Sequence, residues 1–400
     1  MSKGEGAEVL PRAVQDRFDA ELRATLRRRS AGELKLAGAV RTLLPLSPAL
    51  RDMCVDAARL LVKRGSFQRD LYRATVRGLA ESGDPRSAPL IEAALSSDDA
   101  GGLCTLSAAG FCSDPSLGIP LAKVAAGRQS DLAFAAEVAR VVRGNSNGAH
   151  LAALAPKIKE SHRIALFGHV LLPLTRGGEL PRALGPPLAV LRDAERHLGR
   201  WLVAAEVGTR AGDTTALAFA RQAAATGAES SRAAWTLLAW ALQPTLPPPA
   251  SRPTVELISR LSDRPSADRD TAFLFRLAAA AAPGTRPMLE ALAKPLPLAS
   301  ELAVRAAMHL ARDHGQQTMR AAVLELAASR AVELRGVAAA ALWELGEDQA
   351  ARTAAEEAHR SRSIGSVTWG VLVRAAADRE ARTRVLMDPT FRRVQWGWLE

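Results

Sequence analysis

The chain has 400 residues, 48% hydrophobic but only 4% aromatic, with 53 Lys and Arg against 42 Asp and Glu, a net charge of +11. The apolar content is ample for a core, and alanine, the best helix former, is abundant throughout. Aromatic-rich runs of period two are missing, which excludes a sheet-based core, and no run of about 18 apolar residues occurs, which excludes a transmembrane helix.

The charge is uneven. Residues 1–77 hold 16 basic and 9 acidic side chains, residues 360–400 hold 8 and 4, and the long middle balances at 29 and 29. A duplex-binding groove along the molecule would concentrate cations in the middle, so the distribution turns the expectation away from nucleic acid. Cys54, Cys104 and Cys112 are expected to be buried free thiols in a reducing cytoplasm. Cys104 and Cys112 stand roughly 12 Å apart along one expected helix, too far for a disulfide. The opening MSKGEGAEVLPRAVQDRF lacks the apolar stretch of a signal peptide, so a cytoplasmic location is expected.

Residues 1–31 are expected to form an N-terminal capping helix. Val14, Phe18, Leu22 and Leu26 recur every four residues, on one helical face. The last turn carries Arg27, Arg28 and Arg29, which suit the negative end of the helix dipole and would equally dock an anionic partner.

Repeats are expected over residues 32–243. Leu34 to Leu44 and Arg51 to Arg64 make a first helix pair around the Pro45 to Pro48 turn. In Asp70 to Leu95, the residues Leu71, Thr75, Leu79 and Ser82 precede Gly83-Asp84-Pro85 at the offsets that Leu334, Ala338, Leu342 and Leu345 keep before Gly346. Glycine closes such helices because it takes the left-handed conformation readily, and the following Asp348 is expected to cap the next one. Ser113-Asp114-Pro115, Gly144 to Gly148, Gly177-Gly178, Gly212-Asp213, Gln243-Pro244, Pro283-Gly284 and His314-Gly315 continue the rhythm, at the periods of about 30–40 residues typical of stacked helix pairs. The apolar offsets slip by one before His314-Gly315, which predicts a distorted helix end. Residues 244–253, with the Pro247 to Pro249 run, are expected to form an extended loop. A second proline cluster, Pro283 to Pro297, lies within the C-terminal repeats expected over residues 254–360.

Segments 70–95, 301–328 and 333–359 resemble HEAT repeats, particularly the short bacterial form with Val-Arg-x-x-Ala-x-x-x-Leu followed by Gly-Asp-Pro. The resemblance implies an all-α, right-handed α-solenoid of roughly nine to eleven stacked antiparallel helix pairs. It implies too that Arg73, Arg335, Asp84, Asp114, Asp213 and Asp348 serve as ladder and capping residues. Residues 361–400 depart from the repeat: an apolar helix with Trp369 is followed by a tail in which Phe391, Trp396 and Trp398 stand beside Arg392 and Arg393. Such side chains bury large apolar areas, in a terminal cap or against a partner.

Catalytic constellations are sparse. The sequence has no phosphate loop, HExxH, CxxC or GxSxG. Gly102 to Gly110 has no strand before it and is no dinucleotide loop. His162 and His169 could share a face but find no third ligand, and adjacent Glu356 and Glu357 point apart. Tyr72 is expected to pack between repeats. Some HEAT-like solenoids resemble DNA glycosylases, and Trp201, Trp235 and Trp240, with Arg200, Arg210, Arg221 and Arg232 nearby, are the residues to weigh for that activity. The favoured expectation is a non-enzymatic scaffold without cofactor or metal. It would bind a protein partner through its concave face or its ends, with Trp396, Trp398, Phe391, Arg392, Arg393, Arg27, Arg28 and Arg29 as contacts. Nucleic-acid binding by the basic ends is the alternative.

Overall fold

The computed structural model describes residues 12–27, 47–97, 102–174, 179–195, 198–227, 315–328 and 345–359, together with isolated helical positions between them. Among the described residues every regular element is helical and no strand occurs. Contacts divide the chain into two compact units, Met1–Gly177 with His359–Glu400, and Gly178–Ala358. The expected loop at 244–253, the prolines at 283, 287, 295 and 297, and the cap at 361–400 lie outside the described residues.

In the first unit α1 is Arg12–Arg27, α2 Pro48–Lys63, α3 Asp70–Glu81, α4 Ser87–Leu95, α5 Gly102–Phe111, α6 Gly118–Ala125, α7 Ser130–Val142, α8 Ala149–Leu154 and α9 Glu160–Leu166. Local chemistry sets the ends. Ser47 caps α2 by accepting from the Leu50 N–H at 3.2 Å, with Pro48 in the first turn, where its missing N–H is no loss. Asp84, Asp114 and Asp213 each accept the N–H two residues on, at 3.0, 2.9 and 2.8 Å, and so start the next helix as the resemblance implied. Arg86 donates to Asp84, which holds that carboxyl below its ordinary range.

Helix ends follow one pattern. After Gly65, Gly83, Gly144, Gly212 and Gly346, all at positive φ, the next N–H reaches back five residues to a helix carbonyl, as in Asp84 to Leu79 at 2.9 Å. At Gly315 the bond from Gln316 reaches Leu310, six residues back, so this turn is one residue wider, matching the slipped offsets. Two details differ from expectation. Ser82 is exposed rather than on the buried stripe, and Glu347 occupies the cap position, its carbonyl accepting from Ala351, so Asp348 stands in the first turn.

Packing alternates. α2 lies against α4 and α4 against α6, while α3 lies against α5 and α5 against α7; the two rows touch through successive helices. This contact of every second helix is the pattern of stacked helix pairs. Tyr72, fully buried, joins α3 to α4 by donating its hydroxyl to the Leu90 carbonyl at 2.6 Å. All three cysteines are buried and free.

The second row is buried on every side. Leu71–Ala80, with Arg73 half-buried, Cys104–Ala109 and Ala133–Ala139 leave no exposed position. A helix apolar all round must be covered all round. Small residues permit the close approach: a Cβ on Gly110 would sit 3.5 Å from the Ala139 backbone, and one on Gly78 only 2.6 Å from Leu44 Cδ1. Two charged groups trapped here pair along their own helices, Arg77 with Glu81 at 2.7 Å and Glu137 with Arg140 at 2.7 Å.

The alternation changes at α9. Its helix passes into a π turn, Phe167–Leu171, and a final turn, Leu172–Leu174. Pro173 explains the widening: it has no N–H to offer, and its ring would collide with the carbonyl of His169, four residues back. The widened segment packs on α5, whereas the start of α9 packs on α7.

In the second unit α10 is Gly185–Asp193, α11 Leu198–Arg210, α12 Thr215–Thr226, α13 Gln317–Ala327 and α14 Asp348–His359. Arg192, 4% exposed, ties the end of α10 to the start of α12 through Asp213 at 2.6 Å and Thr215 at 3.1 Å. Its guanidinium also lies 6.0 Å from the Trp201 ring centre on α11.

Candidate interaction surface

The surface is built where α1 and α2 end. The last carbonyls of a helix have no partner within it. Arg64, one residue beyond α2, meets one of them: its Nη1 donates to the Leu26 carbonyl at 3.0 Å. The same device recurs at Arg143, which donates to the Ala109 carbonyl at the end of α5, and at Arg320, which donates to the Leu345 carbonyl. At the α1 end it has a further consequence. It ties Arg64 to the residue before Arg27, and the side chains of Arg27, Lys63 and Arg64 are all exposed.

A buried clasp holds α1 in this place. Arg69 donates from Nε to Glu33 Oε1 at 3.0 Å, and from Nη2 to Glu33 Oε2 at 2.6 Å and to the Thr25 carbonyl at 3.0 Å. The Leu71 N–H donates to Glu33 Oε1 at 3.3 Å. One ion pair thus joins α1, the Glu33 helix and α3. Along the same helices Asp19 accepts from Arg23 at 2.8 Å and Asp56 from Arg59 at 3.3 Å, and Glu21 stands six residues before Arg27. Among the described residues no ion pair engages Arg27, Lys63 or Arg64.

Of the expected contact residues, Arg27 is therefore exposed at the end of α1, while Arg28, Arg29, Phe391, Arg392, Arg393, Trp396 and Trp398 lie outside the described residues. Sequence reasoning passed over Lys63 and Arg64. Their signal was the Lys-Arg-Gly run closing a helix, the same basic last turn that marked Arg27.

The residues weighed for chemistry have other places. Trp201 is 3% exposed, edge-on to Trp235 at 4.9 Å and beside Phe219 at 6.0 Å, so it is core. Arg200 pairs with Glu195 at 2.7 Å; Trp240 and Arg232 lie outside the described residues. His162 pairs with Asp131 at 3.1 Å, and among the described residues no group of three metal-binding side chains occurs. Glu357 pairs with Arg335 at 3.1 Å. Among the described residues no helix is long and apolar enough to cross a membrane.

Comparison with family models, with curated proteins and with solved structures returned no match for this chain.

Proposed function

We propose that the chain is a HEAT-like scaffold that binds a protein partner through its outer helices and its ends, without chemistry of its own. The observation that supports this is a division of polar groups. Arg77 and Glu137 in the buried row pair with Glu81 and Arg140, whereas Arg27, Lys63 and Arg64 stand exposed and, among the described residues, engage no ion pair. A stacked-helix framework of this kind can vary its outer side chains without disturbing the core. The Trp396 and Trp398 tail belongs to the same proposal as a second contact.

The test is affinity capture with the full chain, identification of the captured protein by mass spectrometry, and reconstitution of the complex from the two purified proteins. A stoichiometric complex by light scattering is expected. Trp396→Ala with Trp398→Ala should weaken it while the helical circular dichroism signal stays unchanged. Base release from alkylated DNA by the purified chain would overturn the reading in favour of a glycosylase-like enzyme.

A further inference from the structure

We infer that the joined ends of α1 and α2 form a docking patch for a short acidic segment of a protein partner. This rests on the scaffold reading above and adds where the partner is held and by what chemistry. Arg27 and the pair Lys63 and Arg64 are remote in sequence, yet the hydrogen bond from Arg64 to the Leu26 carbonyl joins the two helix ends that carry them. Two helix C-termini meet here, and each carries only about half a negative charge. They offset part of the cluster and leave it cationic.

The extent of the patch selects the partner. Glu21 lies six residues before Arg27 and Asp56 seven before Lys63, which places carboxylates about 9–10 Å back along each helix. Positive charge is therefore confined to the helix ends. A nucleic-acid duplex presents a phosphate charge about every 1.7 Å along its axis and needs a longer cationic track. A peptide segment with a few Asp or Glu residues matches a compact cluster, and arginine offers its carboxylates a two-point fork.

The experiment measures fluorescence anisotropy of a labelled acidic peptide of about twelve residues with the full-length chain at about 50 mM salt. The variants are Arg27→Glu with Lys63→Glu and, as a control with the same change in net charge, Lys123→Glu with Arg128→Glu, exposed positions elsewhere. Binding by the wild type, a loss of about tenfold or more in the first variant and little change in the control are expected. Arg64 is kept because it caps α1, and melting curves of both variants should match the wild type. If the first variant melts early, Arg27→Gln with Lys63→Gln replaces it, with a smaller loss in the same direction expected.

No peptide binding, or equal loss in both variants, overturns the patch. Tighter binding of a labelled DNA duplex, dependent on the same two residues, overturns it in favour of nucleic acid. Undiminished capture of the natural partner by the first variant also overturns it and leaves the scaffold reading standing.

Discussion

Removing the Glu33 carboxylate tests how α1 is held. Arg69 and Glu33 side chains are 9% and 11% exposed and share a closest contact of 2.6 Å. In Glu33→Ala the guanidinium keeps only the Thr25 carbonyl at 3.0 Å, and the Leu71 N–H loses its acceptor. Breaking a buried pair by removing one partner costs about 3–5 kcal/mol. The slight exposure here favours the lower end, about 3 kcal/mol. For a unit of this size that lowers the melting temperature by about 6–12 °C. Urea unfolding of wild type, Glu33→Ala, Arg69→Ala and the double variant, followed by circular dichroism, completes the cycle. A coupling of about 2 kcal/mol or more is expected, because each single change strands the other residue. A coupling under about 0.5 kcal/mol, the size of an exposed surface pair, would refute the clasp.

Other outcomes follow from the same structure. Gly78→Ala should destabilise by about 1–2 kcal/mol in the same urea assay, because its methyl meets buried Leu44 and that clash outweighs the propensity gain of about 1 kcal/mol. Hydrogen bonding from Arg86 lowers the Asp84 carboxyl below its ordinary 3.8. Its contribution to stability is therefore present above that value and lost as pH falls through the lower folded value. An acid series on Asp84→Asn should show a shallower fall in stability below about pH 4 than the wild type. Burial pushes the Cys54 thiol up to about 12, and Cys104 and Cys112 are also buried. A thiol reagent at pH 8 should accordingly label all three residues only after unfolding.

What one stretch of chain dictates was open to reading. The apolar stripe of α1, the glycine turns after α3 and before α14, and the aspartates after Gly83 and Gly212 are set by backbone dihedrals and helical period. These act over a few residues and leave a local trace. Even the wider turn at Gly315 was visible as a slip of one position. The buried row left a fainter sign: α5 is apolar or small all round, and Glu137 is the one charged residue between Ala133 and Ala139 of α7. The π turn had Pro173 as its mark.

Which helix meets which was decided only by tertiary packing. Nothing near Arg64 says that its partner is the Leu26 carbonyl, 38 residues away, nor does Glu33 announce Arg69. Gly78 reads by propensity as a weak point in a helix, and only the approach of buried Leu44 gives an added methyl something to displace. Periodicity fixes which face of a helix is apolar, but the identity of the covering surface depends on close packing among distant segments. The cationic patch arises at that level, from two helix ends that each look ordinary alone.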